Sequence, residues 1–358
     1  MRTSNRPRRS GPAIGSALAL TAALALTGCQ EVQSTGGDAA SSATPSDVTS
    51  VPLDGKTVVE GGDLVMALSA EPDLLDPTTS SSLYTRYVMQ TMCEKLYDLD
   101  ADGAVVPMLA TELPTVSDDG LTVTIPLREG VVFADGTPFD AEAVVTTLER
   151  HLTKEDSSRA SELGPITDVS AADDLTVEIT YSEPFAPLAA VLADRAGMIM
   201  SPQALDELGD DFAEHPVCVG PFKFVERVPQ TSITVERDPE YYAADDVHLD
   251  TITYRIITDA SIRSANLRSG DVQVADSISP QDLAELEETE GVGILQSGSL
   301  GYQAMTVNVG NTDGVGAKPG TIDTPLAQDP RVRQALSMAV DREQLVKSVF
   351  NDAYDPAC

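Results

Sequence analysis

The sequence predicts a mixed α/β fold, an α+β arrangement of several sheets interleaved with helices. Residues 62–69 and 121–127 alternate apolar and polar side chains with period two, which is typical of half-buried strands. Residues 141–152 repeat apolar side chains at helical spacing behind Asp140, a residue type that caps helices. The hydrophobic fraction of 42% over 358 residues is sufficient for more than one core.

The other elements follow from the same two periodicities. Apolar side chains at helical spacing predict a helix over residues 82–96, and the Asp-Gly-Thr-Pro stretch at 135–138 predicts a turn. The helix after that turn is expected to end near His151. Further strands are predicted at 175–180, 222–228, 233–237, 252–257, 272–275 and 305–309. Further helices are predicted at 186–194, 260–269 and 280–288, with two more between 329 and 350, the second capped by Asp341.

Charge is the unusual feature of the composition. There are 57 acidic and 23 basic side chains, and the formal net charge is -34 at pH 7. Such a chain repels polyphosphate, so nucleic-acid binding is not expected. Self-repulsion of this size favours a soluble monomer, and the acidity does not by itself identify a ligand.

The first 28 residues have the pattern of a signal peptide. Four arginines precede an apolar run of 14 residues at 13–26, which is too short for the roughly 20 residues of a membrane-spanning helix. The run ends Leu-Thr-Gly-Cys, which resembles a bacterial lipobox and implies cleavage before Cys29 and acylation of its thiol. Acyl chains would anchor the protein to a membrane without spanning it. A secretory peptide with a chance cysteine is the alternative.

Residues 29–57 are rich in Ser, Thr, Gly, Ala and Asp and contain few large apolar side chains. This composition cannot bury enough surface to order itself, so it predicts a flexible tether. Beyond Cys29, the remaining cysteines are Cys93, Cys218 and Cys358. In an oxidising compartment we predict a disulfide between Cys93 and Cys218; two small buried cysteines are the alternative.

Three segments resemble the family 5 solute-binding proteins of ABC importers, whose members bind peptides, nickel complexes and some oligosaccharides. Residues 108–152 contain LREG and FADGTPF, which are similar to the family's strand, turn and helix signature. Residues 217–242 contain VCVGPFKF and ERDPEYY, although Cys218, Val219 and Tyr242 depart from the usual Gly-Thr-Gly-Pro and Tyr-Trp patterns. Residues 329–346, DPRVRQALSMAVDREQLV, resemble a pair of family helices.

This resemblance implies a periplasmic-binding-protein-like fold, in which two lobes are joined by a hinge. Family members continue beyond this length, so the second lobe is expected to be truncated here. The implied divisions are the signal peptide (1–28), the tether (29–57), the first lobe (58–98 and 173–258), its inserted subdomain (99–172) and the second lobe (259–358).

The resemblance also implies a function without catalysis. A short peptide would be captured outside the membrane by hinge closure and passed to an ABC permease with its ATPase subunits. The expected location is the outer face of the cell membrane or the periplasmic space, through the lipid on Cys29. The predicted ligand-binding residues are Glu71, Pro72, Asp73, Leu300, Tyr302 and Gln303. No cofactor is expected, and strand packing or an ordinary acidic loop are the alternative roles of these residues.

Six residues that match the family pattern are interpreted as structural, because turn geometry, helix capping and surface ion pairs explain them. An acidic stretch with Asp245, Asp246, His248 and Asp250 is read as a solvated loop, and no metal is predicted. The six structural residues are Arg128, Asp135, Gly136, Arg331, Arg333 and Asp341.

Two other binding functions remain as alternatives, and a third class, an enzyme, is considered below. A binding protein for another solute, such as a nickel chelate, an opine or an oligosaccharide, would share the same fold. A signalling peptide receptor cannot be separated from an importer component by sequence. An enzyme is not expected, because the G-x-S-x-G, H-E-x-x-H, G-x-x-x-x-G-K-[ST] phosphate-loop and G-x-G-x-x-G motifs are absent from the sequence.

Overall fold

The computed structural model describes residues 55–297, 301–314 and 318–356. The strands of the described residues, in chain order, are β1 (Asp63–Leu68), β2 (Tyr97–Leu99), β3 (Val105–Pro107), β4 (Thr115–Val116), β5 (Thr122–Pro126), β6 (Ile166–Asp173), β7 (Thr176–Tyr181), β8 (Phe222–Val228), β9 (Ser232–Arg237), β10 (Thr251–Ile256) and β11 (Val274–Ala275). The α-helices are α1 (Leu83–Met89), α2 (Ala141–Thr153), α3 (Leu188–Val191), α4 (Pro202–Leu208), α5 (Ala260–Ser269), α6 (Leu283–Glu287), α7 (Pro325–Gln328), α8 (Pro330–Met338) and α9 (Arg342–Val349).

Two larger sheets and a hairpin make up the β structure of the described residues, which confirms the mixed class. The first sheet has the order β11-β1-β10-β9-β8. In it β1 runs parallel to β10 and β11, whereas β9 is antiparallel to β8 and β10. The second sheet, β4-β5-β7-β6, is antiparallel throughout, and β2 pairs with β3.

Each large sheet has its own core. In the first core, Leu68 and Val235 of the first sheet pack with Met89 of α1 and with Phe212, all of them fully buried. In the second core, Ile125 and Ile179 of the second sheet pack against the apolar face of α2, which includes Val144 and Leu148. Asp140 accepts a hydrogen bond from the Ala143 main-chain N–H and caps α2, as its position before the apolar repeat predicts.

Three predicted helices are shorter in the structure, among them the one expected over 280–288, which spans Leu283–Glu287. The helix expected over 82–96 ends at Met89; the N–H groups of Met92 and Cys93 still bond back to the Met89 C=O, and the chain then extends. The next N–H, that of Glu94, bonds to Val219 C=O, so Met92 and Leu96 are buried without being helical. The helix expected over 186–194 spans only Leu188–Val191.

The strand predicted at 305–309 does not form. This described stretch is irregular, and the Met305 side chain is 72% exposed. An alternating pattern becomes a strand only when a neighbouring strand accepts its main-chain hydrogen bonds, and no strand of the described residues lies beside it. Periodicity alone was therefore misleading here.

The division into lobes remains a prediction. The first sheet joins β1 to β8, β9 and β10, which all fall within the predicted first lobe, but it also includes β11, beyond the boundary predicted at 259. The second sheet likewise includes β7, just beyond the predicted end of the inserted subdomain at 172. Hydrogen bonding between strands therefore crosses both predicted boundaries.

The predicted disulfide between Cys93 and Cys218 is present, with 4.9 Å between the two Cα atoms. Both cysteines are buried in the first core. The disulfide lies where residues 91–94 run beside residues 218–222. Main-chain hydrogen bonds also join these two segments. The bond links positions 125 residues apart in sequence and so constrains the unfolded chain.

Gly220 allows this close approach. A Cβ atom at this position would lie 2.4 Å from the Met92 carbonyl oxygen, far inside van der Waals contact. The glycine of the Gly-Pro-Phe segment at 220–222 is therefore required by contact between two main chains. Its role is packing next to the disulfide.

A buried polar network connects the two cores. The Arg150 guanidinium, at the end of α2, makes two hydrogen bonds to the Asp76 carboxylate, of 2.9 and 2.6 Å. It also donates to the Thr78 hydroxyl, which lies 2.9 Å from Nδ1 of His151. His151 is fully buried, and burial lowers its pKa to about 3. Burial raises the pKa of Asp76, but the Arg150 hydrogen bond and charge outweigh it and hold that pKa below its usual value.

No helix within the described segments has both the length and the apolar character needed to cross a membrane.

We predict that Gly220→Ala destabilises the protein by about 3 kcal/mol or more, because the added methyl group cannot fit against the Met92 carbonyl group. The matched control is Gly103→Ala. Gly103 has a φ of +77° and open space around its Cβ position, so only a backbone cost of about 1–2 kcal/mol is expected. Urea unfolding of both variants measures the difference, and equal losses would contradict the packing role of Gly220.

We predict that stability falls as the pH is lowered from 6.5 towards 3. The unfolded His151 takes up a proton near pH 6.5, whereas the buried side chain does so only near pH 3, so acid favours the unfolded state. The expected slope is about 1.4 kcal/mol per pH unit. Between pH 6.5 and about 5, above the range in which the carboxyl groups titrate, His151→Gln should remove this slope in urea unfolding curves, whereas His215→Gln, at an exposed position, should retain it. An unchanged slope in His151→Gln would show that another group is responsible.

Candidate functional site

Three neighbouring parallel strands end at the same edge of the first sheet. β1 ends at Leu68, β10 at Ile256 and β11 at Ala275, and their carboxyl ends lie side by side because the strands are parallel. In α/β sheets this edge is where ligands commonly bind. We call this edge, together with the loop of residues 69–82 that follows β1, the strand-end site.

Arg227 of β8 and the turn that follows this strand hold the first part of the loop. Arg227 donates two hydrogen bonds to Glu71, of 3.1 and 2.8 Å, and a third to the Pro72 carbonyl oxygen. The other Glu71 oxygen accepts from the Gln230 main-chain N–H. Glu71 and Pro72, predicted as ligand-binding residues, therefore lie at this edge, but the Glu71 carboxylate is engaged within the protein.

Asp73 organises the middle of the loop. Its carboxylate accepts hydrogen bonds from the main-chain N–H groups of Ser81 and Ser82 and from the Thr85 hydroxyl at 2.7 Å. Partial burial raises the pKa of Asp73, but these hydrogen bonds outweigh it and lower the pKa to about 2. Its charge is thus used to close the loop around the start of α1.

Arginines from outside the loop also bind it, through the Asp76 carboxylate and through carbonyl groups near its end. Arg150 binds Asp76 and Thr78, as described above. Arg159, which is 2% exposed, donates to the Ser80 carbonyl oxygen, and Arg195 donates to that of Ser82. The loop is therefore preorganised by its internal contacts, so a ligand would not need to order it.

Ala70, near the start of this loop, is one of the residues whose main-chain groups are left open. Within the described part of the chain, its main-chain N–H and C=O groups make no hydrogen bond. A cavity of about 410 Å³ lies beside it, lined by Ala70, Glu71, Gln230, Ile256 and Thr258. A free main-chain donor and acceptor next to a cavity can pair with the backbone of an extended ligand, as an added strand would.

The end of β11 closes the other side of this edge. The Asp276 carboxylate accepts hydrogen bonds from the Ser69 main-chain N–H at 2.6 Å and from the Ser69 hydroxyl at 2.9 Å. The same hydroxyl lies 2.8 Å from the Tyr84 hydroxyl. Sequence reasoning missed Asp276, because a single acidic residue after a short strand carries no local signal.

The second group of predicted ligand-binding residues is not assembled with the first in the described structure. Leu300 lies outside the described residues. Tyr302 is 81% exposed and Gln303 is exposed, both in an irregular stretch, and no described contact joins either side chain to the strand-end site. Their role in binding stays a prediction.

Residues that match the family pattern have structural roles, as the sequence predicts. The Arg128 guanidinium lies 4.7 Å from the centre of the Tyr242 ring, so two separate sequence segments meet at this stacked pair. Tyr241 and Tyr242 both donate to Glu94, which is buried and whose pKa burial raises. The other five residues act as caps, turn formers or ion-pair partners, namely Asp135, Gly136, Arg331, Arg333 and Asp341.

The acidic stretch near 245–250 is tied to its neighbours. Asp250 binds Arg237 at 2.8 Å, and His248 lies 2.9 Å from Glu60. In the portion of the chain that is described, no group of three or more His, Cys, Asp or Glu side chains is arranged to hold a metal ion.

Known proteins show the same sequence pattern and architecture. The family model described as "Bacterial extracellular solute-binding proteins, family 5 Middle" matches residues 104–357. The glutathione-binding protein GsiB of Salmonella paratyphi A is 35% identical over 297 residues, which cover 82% of this chain and 55% of GsiB. The chain thus spans about half the length of this relative.

Two solved structures share the fold. NikZ from Campylobacter jejuni, in complex with Ni(L-His), has a TM-score of 0.70 and is 27% identical, covering 82% of this chain and 57% of NikZ. The periplasmic binding protein DppA from Helicobacter pylori, in complex with the peptide STSA, has a TM-score of 0.67 and is 24% identical. That match covers 82% of this chain and 59% of DppA.

Proposed function

The chain belongs to the family 5 bacterial extracellular solute-binding proteins, and we propose that it captures short peptides outside the membrane for an ABC importer. The family is one of binding proteins rather than enzymes. The observation that carries the peptide assignment is the free main-chain N–H and C=O of Ala70 beside the cavity of about 410 Å³. A GsiB relative that is named for binding glutathione, itself a tripeptide, supports the same ligand class.

The preorganised loop supports this function energetically. Glu71, Asp73 and Asp76 already have partners within the protein, so they need not provide charged contacts to a ligand. Recognition through main-chain groups gives affinity for the backbone that all peptides share, with little dependence on their side chains. The second wall of the site is proposed to come from the region of Leu300, Tyr302 and Gln303, closing over the ligand by a hinge motion.

We further propose that the protein is a lipoprotein. The segment Leu26-Thr27-Gly28-Cys29 follows an apolar run of 14 residues, and Cys29 would carry the lipid. The expected partners are an ABC permease with its ATPase subunits. A tether over residues 29–57 would keep the folded body near that permease and raise its local concentration there.

Peptide binding is tested by thermal unfolding of the full chain with glutathione, trialanine and nickel-histidine. A ligand at 100 times its Kd should stabilise the native state by about 2.7 kcal/mol and raise the midpoint. We expect glutathione or trialanine to do so. A midpoint that rises only with nickel-histidine would replace the peptide by a metal chelate, and no response to any probe would contradict the proposed ligand class.

Ala70→Pro provides the site-specific test, because it removes the N–H donor. We expect its Kd for the responding peptide to rise about ten-fold in calorimetry, consistent with the loss of one hydrogen bond. Ala70→Ser, which keeps the N–H group, is the matched control and should bind like the wild type. Equal binding by both variants would place the ligand elsewhere.

Cys29→Ser should abolish incorporation of a labelled fatty acid in a bacterial host and release the protein from the membrane fraction. Two or three acyl chains contribute about 0.8 kcal/mol for each buried methylene group, so their loss removes the anchor. Cys358→Ser is the control and should retain the label. Label that persists in Cys29→Ser would refute lipidation at this position.

A further inference from the structure

Arg263 of α5 is a buried cation whose hydrogen bonds all go to main-chain carbonyl groups. It is 3% exposed. Its Nε donates to the Asp276 carbonyl oxygen at 3.1 Å, and Nη2 donates to that of Ser277 at 2.7 Å. Its Nη1 donates to the carbonyl oxygens of Ile257 at 2.8 Å and Thr258 at 3.0 Å. One side chain thus joins the chain that leaves β10 to the chain that leaves β11.

A carboxylate does not neutralise this charge. Within the described residues, no Asp or Glu oxygen lies within ion-pair distance of the Arg263 guanidinium. Burying a cation is costly unless its donors are satisfied, and here four carbonyl oxygens satisfy them. The planar guanidinium has five donors in a fixed geometry, which a lysine ammonium cannot reproduce.

The third strand end is connected through Asp276. While its carbonyl oxygen accepts from Arg263, its carboxylate accepts from the main-chain N–H of Ser69, the residue directly before Ala70. Ser277 has a φ of +48°, a left-handed conformation that is unfavourable for serine and that the Arg263 bond to its carbonyl oxygen helps to hold. Arg263 therefore controls the ends of β1, β10 and β11 together.

We propose that Arg263 is a positioning residue for the strand-end site. It sets the distance between Ala70, which follows β1, and Thr258, which follows the neighbouring strand β10; both residues line the cavity. The inference rests on the proposed function, since it concerns the same cavity. Arg263 itself would not touch the ligand. It acts through the Thr258 carbonyl oxygen on one side and through Asp276 and Ser69 on the other.

The test combines a binding measurement with a measurement that needs no ligand. Arg263→Lys keeps the charge but loses the planar set of donors. We expect the amide hydrogen of Ser69 to exchange about ten-fold faster or more in the ligand-free full chain, because Asp276 is no longer held. We also expect the Kd for glutathione, measured by calorimetry, to rise about ten-fold. Arg255→Lys is the matched control, since Arg255 is an exposed arginine of β10 with one carbonyl contact, at 3.4 Å.

A second variant guards against a loss of folding. Asp276→Asn keeps the size of the side chain and leaves Arg263 in place, but it weakens the bond to the Ser69 N–H group. It should show faster Ser69 exchange and a smaller loss of affinity than Arg263→Lys, with an unchanged unfolding midpoint. A purely structural role would lower the midpoint of Arg263→Lys without changing Ser69 exchange relative to its neighbours in β1.

The outcomes separate the two proposals. Unchanged Ser69 exchange and unchanged glutathione affinity in Arg263→Lys would overturn the positioning role. If the wild-type chain binds neither glutathione nor trialanine, the peptide assignment fails on its own. The exchange rates of Ser69 then still decide whether Arg263 fixes the three strand ends.

Discussion

The pairing of Arg150 with Asp76 is the contact on which the arrangement of the described structure depends. Arg150 lies at the end of the helix that covers the second sheet, and Asp76 lies in the loop that leaves the first sheet. A buried carboxylate without this guanidinium would be an uncompensated charge, which is strongly destabilising. The pair therefore fixes the position of one hydrophobic core relative to the other. Because the pKa of His151 beside it is lowered by burial, we expect acid to destabilise this arrangement.

The same contact is one of four arginine contacts that order the loop at the candidate site. Because Arg150, Arg159, Arg195 and Arg227 each bind part of residues 69–82, the polar groups of the loop are largely satisfied before any ligand arrives. Within the described residues the main-chain groups of Ala70 make no hydrogen bond, and Ala70 lies where three parallel strands end. A rigid loop that offers main-chain groups suits a family whose members bind chemically different solutes, since specificity can then be set by other parts of the site.

Sequence reasoning predicted the first group of residues of the candidate site but not the contacts that their side chains make. Glu71, Pro72 and Asp73 were identified from their position after a strand, and they lie at the predicted edge. The carboxylates of Glu71 and Asp73 serve the loop itself: Glu71 is bound by Arg227, which is distant in sequence, and Asp73 by the main chain at Ser81. Such partners have no sequence signal: Arg227 and Arg263 look like ordinary arginines in a strand and a helix, and only the folded chain shows them buried against Glu71 or against four carbonyl groups.

The sequence by itself determined the mixed α/β class, most strands and helices, and the caps at Asp140 and Asp341. These depend on local periodicity and on capping side chains, both of which are encoded within short segments. Only the tertiary structure decided that residues 82–96 break at Met89, that residues 305–309 form no strand, and that β11 joins the first sheet. Those outcomes depend on which distant main-chain groups are available to complete hydrogen bonds, and a local pattern does not contain that information.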